Sequence, residues 1–184
     1  MPHPTRTETA QHPVPFYLKS INDKGLFCGY ASVFNTIDAY GDCIVQGAFK
    51  ESLQKWQNQN RVPKMLWQHN TQDPIGIWEL IEEDKKGLYV EGQLLLDVQK
   101  AREAYSLIQH GAIDGLSIGY QVVESEQDPA SRIRYISTLE LFEVSVVTFA
   151  ANLQARVTQV KQDPVPEKVK LQASLKQAVK VLTG

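Results

Sequence analysis

Three side chains of the kinds that cooperate in nucleophilic hydrolysis lie on or beside extended apolar segments of this chain. Ser117 stands in Leu116-Ser117-Ile118-Gly119-Tyr120, Glu143 in Phe142-Glu143-Val144-Ser145-Val146, and His69 ends the run Leu66-Trp67-Gln68-His69-Asn70. A serine hydroxyl is a weak nucleophile until a neighbouring imidazole accepts its proton. A third, acidic group fixes the imidazole tautomer and stabilises the cation that forms. The two-residue period of a strand puts Leu116, Ile118 and Tyr120 on one face and Ser117 and Gly119 on the other. The same period sets Phe142, Val144 and Val146 against Glu143 and Ser145. If both apolar sets fill one core, Ser117 and Glu143 face outward together, and His69 can meet them there.

Periodicity alone does not single out this triple, because any soluble chain offers many. Ser117 also reads as a small residue on an exposed strand face. His69 reads equally as a strand-end histidine bonded to backbone, and Glu143 as a solvated carboxylate. Ser145, two residues from Glu143 on the same strand, suits a hydroxyl that donates a hydrogen bond to the site. Among the competitors, His110 falls in the last turn of a predicted helix, where its charge suits the macrodipole. His3 and His12 lie near the N-terminus, and Cys43 follows Gly41-Asp42 with nothing nearby to activate a thiol. Trp56, Trp67 and Trp78 read as core rather than as stacking platforms.

The elements that must carry these residues are mostly strands. Leu26–Phe34, Val62–Trp67, Ile75–Ile81 and Leu88–Leu96 read as extended. The last two are joined by the charged, glycine-ended turn Glu82-Glu83-Asp84-Lys85-Lys86-Gly87. Leu116–Val123 and Ile133–Leu139 form a second hairpin around Gln127-Asp128-Pro129, and Phe142–Phe149 reads as a separate last strand. Helices are predicted over Gly47–Gln57, with Phe49, Leu53 and Trp56 on one stripe, and over Val98–His110, with Ala101, Ala104, Tyr105 and Ile108 inward. Gly111 then stands where a left-handed helix cap is wanted. The pattern predicts a mostly β (α+β) domain, a closed or nearly closed antiparallel barrel with peripheral helices. Residues 1–14 read as a flexible arm and 15–157 as the barrel domain. In 158–184 a proline-containing linker leads to a basic amphipathic helix.

Composition narrows the function classes. Of 184 residues, 42% are hydrophobic and 22% charged, the balance of a globular protein. Nineteen Lys and Arg against 21 Asp and Glu leave a net charge of −2, so no pull toward nucleic acid or an anionic membrane is expected. No apolar run approaches the ~20 residues a membrane helix needs, and no signal-peptide core is visible. Two cysteines and four scattered histidines lack zinc-site spacing. We expect no metal.

Several blocks, in order, resemble the prohead maturation proteases of tailed bacteriophages, a family similar in fold to the herpesvirus assemblins. They are Gly29-Tyr30-Ala31-Ser32-Val33-Phe34-Asn35, Asp38-Ala39-Tyr40-Gly41-Asp42, Gly47-Ala48-Phe49, Leu66-Trp67-Gln68-His69-Asn70, Pro74-Ile75-Gly76 and Gly87-Leu88-Tyr89-Val90-Glu91-Gly92. Gly115-Leu116-Ser117-Ile118-Gly119-Tyr120 and Leu141-Phe142-Glu143-Val144-Ser145-Val146-Val147 follow, closed by Asn152 and Ala155. The resemblance implies an assemblin-like fold and a serine endopeptidase with Ser117 as nucleophile and His69 as base. It puts the third member on the strand after the serine strand. Glu143 fits, with Glu140 the runner-up, turned by alternation to the opposite face. Asn152 and Arg156 are candidate oxyanion or supporting donors, with Ser145 also supporting. One departure is Ala150, where the family usually has proline.

The resemblance further implies a substrate in the major capsid protein or a scaffold protein, self-cleavage, and no cofactor. The expected location is the assembling procapsid in the host cytoplasm, with no nucleic-acid or membrane partner. Whether the chain works as a homodimer or another homo-oligomer stays open. The alternative is a catalytically silent assembly module.

Overall fold

The computed structural model describes residues 22–159. The predicted N-terminal arm lies outside the described residues, and so do the predicted linker and basic helix of 158–184 except for residues 158 and 159, which continue the last strand. Eight strands and two helices follow one another as β1 (Leu26–Val33), β2 (Asp42–Ile44), α1 (Lys50–Asn58), β3 (Lys64–Trp67) and β4 (Asn70–Glu83). Then come β5 (Gly87–Leu94), α2 (Gln99–Gln109), β6 (Gly115–Gln127), β7 (Arg134–Val147) and β8 (Val157–Gln159).

All eight strands join one sheet in the order β2-β7-β3-β4-β5-β1-β8, with β6 on the other side of β7. The sheet departs from the expected closed antiparallel barrel in two ways. It is mixed, because β2 and β3 both run parallel to β7. It is also open, a half-barrel: β6 and the β8 end of the sheet meet only at an isolated bridge between Gly115 and Arg156. Past that bridge no ladder joins β1 to β6. The cause is local. β8 is three residues long and pairs with β1 only at Cys28 and Gly29, so among the described residues no strand neighbours the outer edge of Ala31–Val33.

A second difference concerns β7. The segments 133–139 and 142–149 are not separate strands but one strand of 14 residues. Gly119 pairs with Glu143 and Tyr120 with Leu141, which leaves Phe142 as the extra residue of a β-bulge. The bulge shifts the phase of the alternation. Leu139 and Leu141 on one side of it and Val144 and Val146 on the other all reach the core, while Phe142 is 45% exposed.

β7 touches β2 through residues 134–136 and β3 through residues 143–146, so its edge between them needs other partners. Helix α1 and its approach supply them. The Leu139 N–H donates to the Ala48 carbonyl, the Leu141 N–H to Ser52 Oγ, and Trp56 Nε1 to the Leu141 carbonyl. Glu83, at the far end of β4, accepts the N–H groups of Gly47 and Phe49 and so caps the start of α1. Helix α2 lays Ala101, Ala104 and Ile108 on the core, and Gly111 adopts φ 70° after it, the predicted left-handed cap.

The core is the concave filling of the half-barrel: Phe27, Phe49, Met65, Ile75, Trp78, Leu88, Val90, Leu94, Leu116 and Leu141 are each at most 3% exposed. Each such side chain contributes about 1.5–3 kcal/mol on leaving water. This packing fixes β6 against β7, and with it everything those two strands present on their other face.

Candidate functional site

β6 and β7 pair Ser117 with Ser145 and Gly119 with Glu143. Paired residues point to the same side of a sheet, so Ser117, Gly119, Glu143 and Ser145 share the face opposite the core, as alternation predicts. They are not solvated: Ser117 is 7%, Glu143 8% and Ser145 0% exposed.

His69 reaches this face from the β3–β4 turn. Trp67 pairs with Asn70, so Gln68 and His69 are the two central residues of a tight hairpin turn, with φ of 53° and 60°. Two left-handed residues define the hairpin turn usually built from Asn-Gly or Gly-Gly. Here other bonds hold it. The Gln68 N–H donates to the Val146 carbonyl at 3.0 Å. The Gln68 side chain donates to Thr148 Oγ1 at 2.8 Å and accepts the Thr148 N–H at 3.2 Å. The His69 N–H donates to Ser145 Oγ at 3.1 Å.

The three predicted groups meet. His69 Nε2 lies 3.0 Å from Ser117 Oγ and His69 Nδ1 lies 2.6 Å from Glu143 Oε1. An ionised carboxylate only accepts, so the imidazole proton belongs on Nδ1, which leaves the Nε2 lone pair toward the serine hydroxyl. The second carboxylate oxygen of Glu143 accepts the Ser145 hydroxyl at 2.6 Å. Ser145 thus orients the acid and the turn that carries the histidine.

Gly119 completes the set. A Cβ there would stand 2.3 Å from Glu143 Oε1 and 2.9 Å from its Cδ and Cγ. A glycine leaves room for the Glu143 side chain to lie over β6, where its Oε1 meets His69 Nδ1. No sequence signal separates this role from an ordinary strand glycine.

Glu140 is elsewhere. It lies 3.8 Å from Lys55 Nζ, with its side chain 42% exposed. Simple alternation, however, does not hold between Glu140 and Glu143. The bulge at Phe142 pairs Glu140 with Gln121 and returns it to the face of Glu143, one step further along the strand.

The supporting candidates have their donors engaged. Asn152 Nδ2 donates to the Val33 carbonyl at 2.9 Å, pinning the loop after β7 to β1. Arg156 Nη1 donates to both oxygens of the Asp114 carboxylate, and its Nε donates to the Leu153 carbonyl. His110 binds back to the Ser106 carbonyl at 2.8 Å. Cys28 and Cys43 are buried and form no disulfide. Burial, with Asp38 nearby, pushes the Cys43 thiol up, away from a reactive thiolate.

Beside Ser117 the open side of the half-barrel forms a cavity of about 420 Å³. Ala31 and Ser32 of β1, Ile118 and Tyr120 of β6, Thr36, Asp38–Tyr40 and Asp42, and residues 149–152 line it, and both Ser117 and His69 open onto it. At one wall Asp42 accepts two bonds from Arg134, at 2.7 and 2.6 Å, and one from the Tyr120 hydroxyl at 3.1 Å. Burial, then the nearby Asp42 charge and that hydrogen bond, push the Tyr120 hydroxyl well above its ordinary range.

Comparison with known proteins gives concordant matches. The family model described as caudovirus prohead serine protease matches residues 16–168. The prohead protease of Enterobacteria phage HK97 is 42% identical over 141 residues, which are 75% of this chain and 61% of that protein. The chain therefore spans about three fifths of that relative's length. Among solved structures, the capsid assembly protease of bacteriophage T4 aligns with a TM-score of 0.53 at 10% identity, over 66% of this chain and 80% of that one, a likeness of fold. The KSHV protease aligns with a TM-score of 0.42 at 13% identity, over 72% of this chain and 63% of that one.

Proposed function

The chain belongs to the caudovirus prohead serine protease family, and we propose that it is the serine endopeptidase that trims the procapsid, with Ser117, His69 and Glu143 as its catalytic residues. The observation that carries the reading is the unbroken line Ser117 Oγ, His69 Nε2, His69 Nδ1, Glu143 Oε1, with contacts of 3.0 and 2.6 Å at its two joints.

Ser117 Oγ attacks the scissile carbonyl as His69 Nε2 takes its proton. The imidazolium is then held by Glu143, whose charge is oriented by Ser145. Collapse of the tetrahedral intermediate expels the amine, to which His69 returns the proton, and leaves an acyl-enzyme. Water, activated by the same imidazole, hydrolyses it. The developing oxyanion falls to main-chain amides of the loop 149–151, which lines the cavity beside Ser117. Asn152 and Arg156 hold that loop and its continuation rather than the oxyanion. Glu140 is a surface carboxylate without a part in the reaction.

The substrates are internal segments of the major capsid protein or a separate scaffold, and the ends of the protease itself, cut inside the assembling procapsid in the host cytoplasm. A silent assembly module has no physical use for a buried serine and a buried acid joined through a histidine that a strained turn holds between them. Co-expression with the capsid protein of the same virus, as wild type and as Ser117→Ala, tests the reading by intact mass. Capsid protein shortened with the wild type alone supports it; equal full-length masses with capsids still assembling favour the silent module.

A further inference from the structure

The three most exposed large apolar side chains among the described residues are Phe149 at 91%, Tyr40 at 82% and Leu153 at 73%. Isolated exposed apolar residues are ordinary. These three sit on two loops, 36–41 and 148–154, that bracket one cavity, and Ile37, 54% exposed, joins them. Phe149 and Tyr40 line the cavity onto which Ser117 and His69 open.

The loops are pinned rather than slack. The Ala39 N–H donates to the Ala151 carbonyl at 3.0 Å, tying one loop to the other. Asp38 Oδ1 accepts the N–H groups of Tyr40 and Asp42 at 2.8 and 2.9 Å. Asn152 anchors its loop to Val33, and Gln68 grips Thr148 at the loop's start. The aromatic side chains are thus mounted on fixed backbone and held out in water, an arrangement that costs little to order on binding. Among the described residues the cavity behind them has no Lys or Arg in its lining, and Asp42 is already neutralised by Arg134. Tyr40 and Phe149 thus stand at the cavity onto which Ser117 opens.

We infer that Tyr40 and Phe149 are specificity-determining residues: they grip bulky apolar side chains of the polypeptide substrate next to the scissile bond. The inference rests on the catalytic reading of Ser117. The occupant is the substrate, because the apolar rim is continuous with the cavity of the nucleophile. A second copy of the chain and residues 1–21 are the competing occupants.

The test is hydrolysis of a blocked nonapeptide library, randomised one position at a time, by the wild type, Phe149→Ser and Tyr40→Ser. A filled apolar subsite discriminates by roughly 10–200-fold. The wild type should favour Leu, Phe or Met over Ser or Asn at one or more positions flanking the cut by about tenfold or more in kcat/KM. The ratio should collapse toward unity in the variants, mostly through KM. Binding of the same peptides to Ser117→Ala, with and without Phe149→Ser, reads the rim without chemistry. Apolar preference in binding without hydrolysis by the wild type would sink the catalytic reading and keep the rim. Hydrolysis with no apolar preference, or with a preference for basic residues drawn by Asp38, would overturn the rim. So would a dimer that Phe149→Ser dissociates while peptide preference stays unchanged.

Discussion

Gly119→Ala is the substitution that most sharply separates the site's geometry from the fold's stability. The new Cβ would lie 2.3 Å from Glu143 Oε1, where real Cβ atoms keep at least 3.0 Å, so the oxygen must retreat by 3.0 − 2.3 = 0.7 Å or more. It cannot retreat freely, because the other carboxylate oxygen is held by Ser145 at 2.6 Å. The 2.6 Å contact to His69 Nδ1 is the one that gives. A displacement of about an ångström in a catalytic group costs on the order of 10²-fold, and loss of the orienting acid up to about 10⁴. We expect kcat to fall at least ~10²-fold, about 2.7 kcal/mol of barrier. The backbone should tolerate the change, since Gly119 is outside the left-handed region. The melting temperature should therefore move by no more than about 2 °C, the shift of a few tenths of a kcal/mol. Shortening the acid as well, in Gly119→Ala with Glu143→Asp, should recover part of the rate. The assays are peptide hydrolysis and a thermal melt on the same samples. Wild-type turnover with the fold intact would refute the claim that Glu143 orients His69.

The two glutamates of β7 should behave oppositely: Glu143→Gln loses turnover by several orders of magnitude, whereas Glu140→Gln, which only breaks an exposed 3.8 Å pair with Lys55, changes turnover less than twofold. Ser145→Ala strips a fully buried hydroxyl from Glu143 and from the His69 N–H, so unfolding by denaturant should show a loss of about 1–3 kcal/mol together with at least a tenfold drop in kcat. Tyr30 donates to Asp84 at 2.6 Å, and this bond to a carboxylate, with partial burial, pushes its ionisation from 10.0 up to about 12. A raised folded value means stability that is complete below pH 10 and lost as pH climbs toward 12. Between those values denaturation midpoints should fall more steeply in the wild type than in Tyr30→Phe, and parallel slopes would count against the bond.

Legibility in the sequence followed the range of each interaction. Two-residue periodicity found the faces of Ser117 and Glu143 because it depends on nearest neighbours. It failed across Phe142, since a bulge is visible only in the pairing with β6, and the same failure misjudged the face of Glu140. Glycine and charge marked the β4–β5 turn, whereas Gln68-His69 has no composition that announces a two-residue turn. That turn is held by Thr148, 80 residues away. The parallel pairings of β2 and β3 with β7, and the opening beside β8, depend on which distant edges meet. Ser145 was legible as a hydroxyl on the site's face. Its bonds to both Glu143 and the His69 turn were not. The meeting of Ser117, His69 and Glu143 was legible only through family resemblance, because spacings of 48 and 74 residues carry no geometry of their own.

The central claim is that Ser117 is a nucleophile activated by His69. An alkyl fluorophosphonate, which needs little more than such a serine, tests it directly when the adduct is mapped by peptide mass. The account predicts one adduct, on Ser117, absent in Ser117→Ala and at least ~10²-fold slower to form in His69→Ala. An adduct on another residue, or labelling of Ser117 that is indifferent to His69, would contradict it.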